Sequence, residues 1–278
     1  MPNHPADYST LGGPIPKPPI LYHYSNWTGA FEILRTKLLR MGHSQFLNDR
    51  REMVEGVSLI QRALDDAMVS HNDEKGMLWD ASRKDWQKDF SDVNVFLASF
   101  CEQGDVLEQW RGYTPQGGLA LGFSTDEMKT EADKQQLWLM NCLYYDHDKL
   151  NRVHAFIDQT NKTIADPKTE DAALFSDYVC AELMMEIPRY KDQAFISERE
   201  WRLFVYDNVL DGKDRVSFYV NDRGIVPYRE FPFDPKMLKE IVLHPKTDDA
   251  AVFGVSEFLV SVGFSGVTVR KSVVPLRF

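Results

Sequence analysis

The stretch that most constrains the fold is Asn94–Phe100, NVFLASF, which is uncharged and apolar almost throughout. A strand of that composition suits the middle of a sheet covered on both faces. A second stretch, Gln193–Tyr206 (QAFISEREWRLFVY), sets two carboxylates, Glu198 and Glu200, just before an aromatic and β-branched run. Read as a strand, its period of two puts Glu198, Glu200 and Arg202 on one face, with Arg199, Trp201 and Leu203 on the other. A charged row of this kind faces bulk water, forms a buried ion-pair network, or lines the floor of a cleft.

A chain of 278 residues can bury a full core as one domain or divide into two modest ones. Its formal net charge of −10 argues against general duplex nucleic-acid binding, which needs a local excess of Lys and Arg. A small anionic ligand stays compatible with that charge, because one arginine can dominate locally. Cys101, Cys142 and Cys180 are far apart, show no CxxC spacing and lie in apolar runs, which reads as buried free thiols in a reducing compartment. No run is long enough for a membrane span, and the first residues lack the basic start and apolar stretch of a signal peptide, so a cytoplasmic location is expected.

Residues 1–19, rich in Pro, Gly and small polar residues, read as a flexible arm, and the folded domain is expected over 20–278. LYHY is a short strand; Trp27, Phe31, Leu34 and Leu38 then predict a helix ending near Met41-Gly42. A polar loop leads to a second helix, capped by Asn48 or Asp49, with Val57, Ile60, Leu64 and Ala67 inward. The polar segment from His71 to Asp92, punctuated by Trp79 and Trp86, reads as loop plus a short helix, a candidate lid. VLEQWRGY is a short helix or irregular segment. The Gly117–Gly118 pair that follows permits a tight turn or a close approach, and GLALGF is a strand. Leu137–Tyr145 is a strand, Asp148–Thr160 a helix, and Thr169–Ile187 a longer helix with Leu174, Val179 and Leu183 inward. Further strands are expected at Arg215–Val220, Ile225–Tyr228 and Lys239–Leu243. A helix over Asp249–Val262 and the strand GVTVRKS complete an α+β pattern.

Among chemical motifs, HExxH, paired His–Cys spacings, GxSxG and nucleotide-binding glycine loops are absent from the sequence, so no metal site is expected. Cys101 beside Glu102 lacks the positive neighbour a thiolate nucleophile wants. His23 reads as a core histidine or as a cleft residue. Trp110, Arg111 and Tyr113 read as a packed tryptophan beside an ion-paired arginine, or as a group that holds an anion and stacks on a planar ring. Glu198 and Glu200 are the foremost catalytic candidates.

The runs LYHYSNWTGAFEILRTKLLRMGHSQFLNDRREM, FLASFCEQGDVLEQWRGYTPQGGLALGFS, FISEREWRLF, KEIVLHPKTDD and VRKSVVPLRF resemble, in order, the bacterial family catalogued as domain of unknown function 2971. The YH strand followed by AFEILRTKLL also resembles the opening of the ADP-ribosyltransferase-like fold. That second resemblance implies a single domain with a central, mostly antiparallel split β-sheet flanked by helices. It implies NAD as cofactor, with Glu200 as the catalytic glutamate, Glu198 two residues before it and His23 on the ribose. Tyr24, Trp110, Arg111 and Tyr113 would complete the NAD site, with Tyr113 by the nicotinamide and Arg111 at the pyrophosphate. SFCE stands where such enzymes carry a Ser-Thr-Ser triplet. The implied activity is NAD-dependent ADP-ribosyl transfer or NAD hydrolysis, with the acceptor and the oligomeric state left open. The alternatives are a non-catalytic nucleotide or small-anion binder, a protein-interaction module whose Glu pair and Arg202 form salt bridges, and a metal-dependent nuclease using Asp49, Glu198 and Glu200.

Overall fold

The uncharged run does form the central strand. The computed structural model describes residues 17–46, 51–70, 74–89, 95–164, 171–206, 216–221 and 224–275. Among them, ten strands make one sheet: β1 (Ile20–Asn26), β2 (Leu38–His43), β3 (Val95–Cys101), β4 (Gly118–Ser124), β5 (Trp138–Asn141), β6 (Glu200–Tyr206), β7 (Val216–Asn221), β8 (Gly224–Pro232), β9 (Leu238–Leu243) and β10 (Thr268–Lys271). The helices are α1 (Trp27–Thr36), α2 (Arg51–Ser70), α3 (Glu74–Asp89), α4 (Leu107–Tyr113), α5 (Thr125–Lys134), α6 (Asp146–Thr163), α7 (Ala172–Met184) and α8 (Asp249–Ser261).

The chain gathers into two compact units. One, from Lys17–Leu47, Asn94–Asn141 and Ile196–Phe278, holds the whole sheet with α1, α4, α5 and α8. The other, built on Asn48–Val93 and Cys142–Phe195, is helical. The architecture is α+β, and its sheet is mixed but mostly antiparallel, since only the β9–β10 pairing among the described strands is parallel.

The sheet runs β10-β9-β4-β1-β3-β2-β8-β7, with β6 on the remaining edge of β3 and β5 beyond it. β6 follows β3 along its length, from Val95↔Tyr206 to Cys101↔Glu200. The other edge of β3 is shared. β1 meets it at Tyr22↔Cys101, and β2 meets it at Gly42↔Leu97 and His43↔Phe96. Between those contacts, at Ser99, the sheet divides. Every residue of β3 except Ser99 is buried.

Alternation along the strands separates two cores. Leu21, Phe96, Phe100, Leu121 and Leu203 face Ile33 and Leu34 of α1, Met128 of α5 and Leu259 of α8. On the other face, Tyr24, Cys101, Ala120 and Val242 lie under Trp110 of α4. Each such large apolar side chain contributes about 1.5–3 kcal/mol on full burial. Asn26 caps α1 by accepting from the Gly29 N–H at 2.8 Å. Gly118 brings β4 close against β1, where a Cβ would stand 2.2 Å from the Ser25 carbonyl oxygen.

Several boundaries differ from the sequence reading. α1 stops at Thr36 because Lys37 turns left-handed at φ 59°. Leu38, which fits a helical stripe equally well, instead opens β2 and its ladder with β8. Ser124-x-x-Glu127 begins α5, a helix the sequence reading left out although its Ser-x-x-Glu spacing is that of a capping box. In the helical unit, Ile60, Leu64 and Ala67 of α2 are buried as expected. Leu174, expected inward, is exposed, while Val179 and Leu183 are buried. The polar segment after His71 is mostly one 16-residue helix, α3, with Trp79 and Trp86 buried. The proposed caps Asn48 and Asp49, and most of the expected N-terminal arm, lie outside the described residues.

Candidate functional site

Beside the division of the sheet, within the sheet-bearing unit, lies a pocket of about 50 Å³. Since one water needs about 10–15 Å³ on that measure, the pocket encloses a small polar fragment rather than a whole dinucleotide. Its wall is made by Tyr22, His23, Tyr24, Ser99, Phe100, Cys101, Gln109, Tyr113, Glu198 and Glu200.

His23 follows from the strand division. Its ring lies 5.6 Å from that of Phe100, and its Nδ1 is 3.0 Å from the Ser99 carbonyl oxygen, which points to the edge that neither β1 nor β2 pairs. A carbonyl only accepts, so Nδ1 carries the hydrogen and donates. Burial holds the imidazole below its ordinary pKa. In the neutral ring Nε2 therefore keeps its lone pair. By strand alternation His23 belongs to the face opposite Tyr22, Tyr24 and Glu200. It reaches their pocket because β1 has parted from β3 beyond Tyr22.

Glu200 is 4% exposed and held from two directions. Ser99 Oγ donates to its Oε1 at 2.6 Å. Arg202, equally buried, donates through Nε to Oε1 at 2.7 Å and through Nη2 to Oε2 at 3.3 Å. Charge-assisted bonds of this kind fix a carboxylate in an ionised, oriented state. Two of the three readings of the charged row thus hold together at Glu200, which belongs to a buried ion pair and to the pocket wall. The expected row breaks at Glu198, which ends a short 3-10 turn, Gln193–Glu198. Arg199 then takes φ 42°, so period two begins only at Glu200. Glu198 still lines the pocket.

The other candidates divide. Tyr113 is on the wall and 43% exposed. Tyr24 is buried on the wall; its hydroxyl donates to the Gln103 carbonyl at 2.8 Å and accepts from the Val106 N–H at 3.1 Å. Trp110 is fully buried and spent on packing: its Nε1 donates to Asp105 at 2.8 Å and its ring meets Tyr24 edge-on. Arg111 is exposed and off the wall. Cys101 is a buried thiol pushed up to about 11 by burial, with Glu198, Glu102 and Glu200 adding to the effect. Cys142 and Cys180 are likewise free and buried. Among the described residues no three His, Cys, Asp or Glu side chains group as metal ligands, and Asp49 lies outside them. No described helix is long and apolar enough to cross a membrane.

Sequence reasoning missed Ser99 and Gln109. The signal for Ser99 was the single hydroxyl inside an otherwise apolar strand. Gln109 gave none, because a glutamine on a short helix reads as surface. Together the wall offers carboxylates and a neutral imidazole with no Lys or Arg among the described residues, a setting that suits hydroxyls and cationic groups better than phosphate.

A family of proteins of unknown function, DUF2971, matches residues 109–203. That segment carries Gln109, Tyr113, Glu198 and Glu200 and leaves His23 and Ser99 outside. Comparison with curated proteins and with solved structures gives no match.

Proposed function

We propose that the chain cleaves the nicotinamide–ribose bond of NAD, as an ADP-ribosyltransferase or an NAD glycohydrolase, and that likeness to DUF2971 proteins extends beyond the matched segment. The observation that carries this reading is the convergence of His23, Tyr113, Glu198 and Glu200 on one pocket. Breaking the bond sends its electron pair to the nicotinamide nitrogen and leaves C1′ oxocarbenium-like. An ionised Glu200, held by Arg202 and Ser99, stabilises that charge without having to reorient. Glu198 takes the proton of the incoming hydroxyl or water as its oxygen bonds to C1′. His23 Nε2 accepts from a ribose hydroxyl. The small cavity encloses the reacting end, and the adenylate half lies outside it, away from the carboxylates.

The test is nicotinamide release from NAD by the intact protein and by Glu200→Gln, with Glu198→Gln as the variant that leaves the buried ion pair intact. Release by the intact protein, reduced at least about 100-fold in Glu200→Gln, is expected. No release across about pH 6 to 9 with protein, nucleic-acid and water acceptors overturns the reading.

One observation favours a second reading. Glu200 Oε1 already takes hydrogen bonds from both Ser99 and Arg202, as in a pocket that binds without turnover. Saturable NAD binding with no product would select it.

A further inference from the structure

We infer that Gln109 reads the bound molecule by pairing its side-chain carboxamide with a primary carboxamide on the ligand. Gln109 is 4% exposed and belongs to the pocket wall. Next to it in α4, Trp110 is wholly buried, which fixes how the helix presents its neighbour. Several other polar groups around the pocket are matched within the protein: Ser99 to Glu200, Tyr24 to Gln103 and Val106, Tyr22 to Glu240. The Gln109 carboxamide, by contrast, has no hydrogen-bond partner among the described residues. Its amide atoms are not among the fully buried, unpartnered ones, so they keep a little access, and a ligand in the pocket that Gln109 lines can complete them.

The chemistry of that ligand follows from what glutamine presents. A carbonyl acceptor and an NH₂ donor stand side by side, the complement of another primary amide in a two-bond pair. A carboxylate could use the NH₂ alone, would set an oxygen against the Gln109 carbonyl, and would add charge beside Glu198 and Glu200. The pocket therefore distinguishes nicotinamide from nicotinate. This inference rests on the NAD reading for the identity of the amide, while its geometry stands on Gln109 itself.

Binding of free nicotinamide and free nicotinate is measured calorimetrically on the intact protein, Gln109→Leu and Gln109→Met, with folding checked by circular dichroism. The intact protein is expected to bind nicotinamide at least about tenfold more tightly than nicotinate. Either variant is expected to lose the part of that preference that Gln109 supplies, keeping only the charge repulsion from Glu198 and Glu200, and two substitutions of similar volume guard against one failing to fold. Equal binding of the two probes, no binding of either, or an unchanged preference in a folded variant overturns the inference. Selective nicotinamide binding through Gln109 without NAD cleavage would remove the proposed activity and leave this inference standing. Cleavage of NAD and of its nicotinate analogue at equal rates would do the reverse.

Discussion

Ser99 and Glu200 are joined on the diagonal. In the β3–β6 ladder Ser99 stands opposite Arg202 and Cys101 opposite Glu200. The Ser99 hydroxyl nevertheless reaches Glu200 Oε1 at 2.6 Å, while its own carbonyl receives His23 Nδ1 at 3.0 Å. One residue at the division of the sheet thus ties the histidine of one limb to the carboxylate of another strand. Pocket geometry and sheet topology are the same fact seen at two scales.

Ser99→Ala removes the hydroxyl and leaves the backbone bond to His23. A hydrogen bond to a charged group contributes about 1.5–3 kcal/mol, but Glu200 Oε1 keeps Arg202, so a loss of about 1–2 kcal/mol is expected. Urea unfolding measures it. A midpoint equal to that of the parent would mean that the hydroxyl bond adds nothing.

Arg202→Met should cost more, about 3–5 kcal/mol, because it strands a buried carboxylate. The double substitution Arg202→Met with Glu200→Met should recover most of that loss, since two apolar side chains avoid the desolvation that the ion pair has to offset. A double-mutant cycle in urea separates the coupling from the single effects. If the two losses simply add, the pair is not coupled and the orientation argued for Glu200 fails with it.

Trp79→Ala tests how the helical unit is held, and explains why its sequence misled. Trp79 is fully buried, stacks edge-on against Phe175 at 5.2 Å and donates from Nε1 to Asn161 at 3.0 Å. A loss of about 3–5 kcal/mol is expected on unfolding. A loss below about 1 kcal/mol would mark α3 as peripheral. The surrounding residues, EKGMLWDASRKDWQKD, are so charged that the stripe of Leu78, Trp79, Ser82 and Trp86 did not register as helical periodicity. Burial there is concentrated in two large rings rather than spread over many aliphatics. Most strands, by contrast, were legible, because their apolar runs are short and bounded by turn residues. Glu200 and Arg202 could be placed on one face from alternation alone. What alternation could not supply was the kink at Arg199, the division of the sheet at Ser99, or the removal of Trp110 into the core. Those depend on contacts between residues far apart in the chain.

The pH dependence of stability should carry the signature of His23. Burial depresses its pKa below the ordinary value of 6.5. Between the folded value and 6.5 the unfolded chain holds a proton that the native chain lacks, so stability rises with pH across that window. The contribution is complete above about 6.5 and is lost as pH falls toward the folded value. His244 is also depressed, first by burial and then by Lys246, and acts with the same sign. A single titration curve therefore cannot assign the effect. His23→Gln resolves it, because a glutamine amide can still donate to the Ser99 carbonyl but does not titrate. Urea unfolding from about pH 5 to 8 should show a shallower decline below 6.5 in His23→Gln than in the parent, with the His244 share common to both. Parallel curves would mean that His23 takes up its proton without penalty in the fold. The neutral ring with an Nε2 lone pair, on which its role toward a ribose hydroxyl depends, would then be lost.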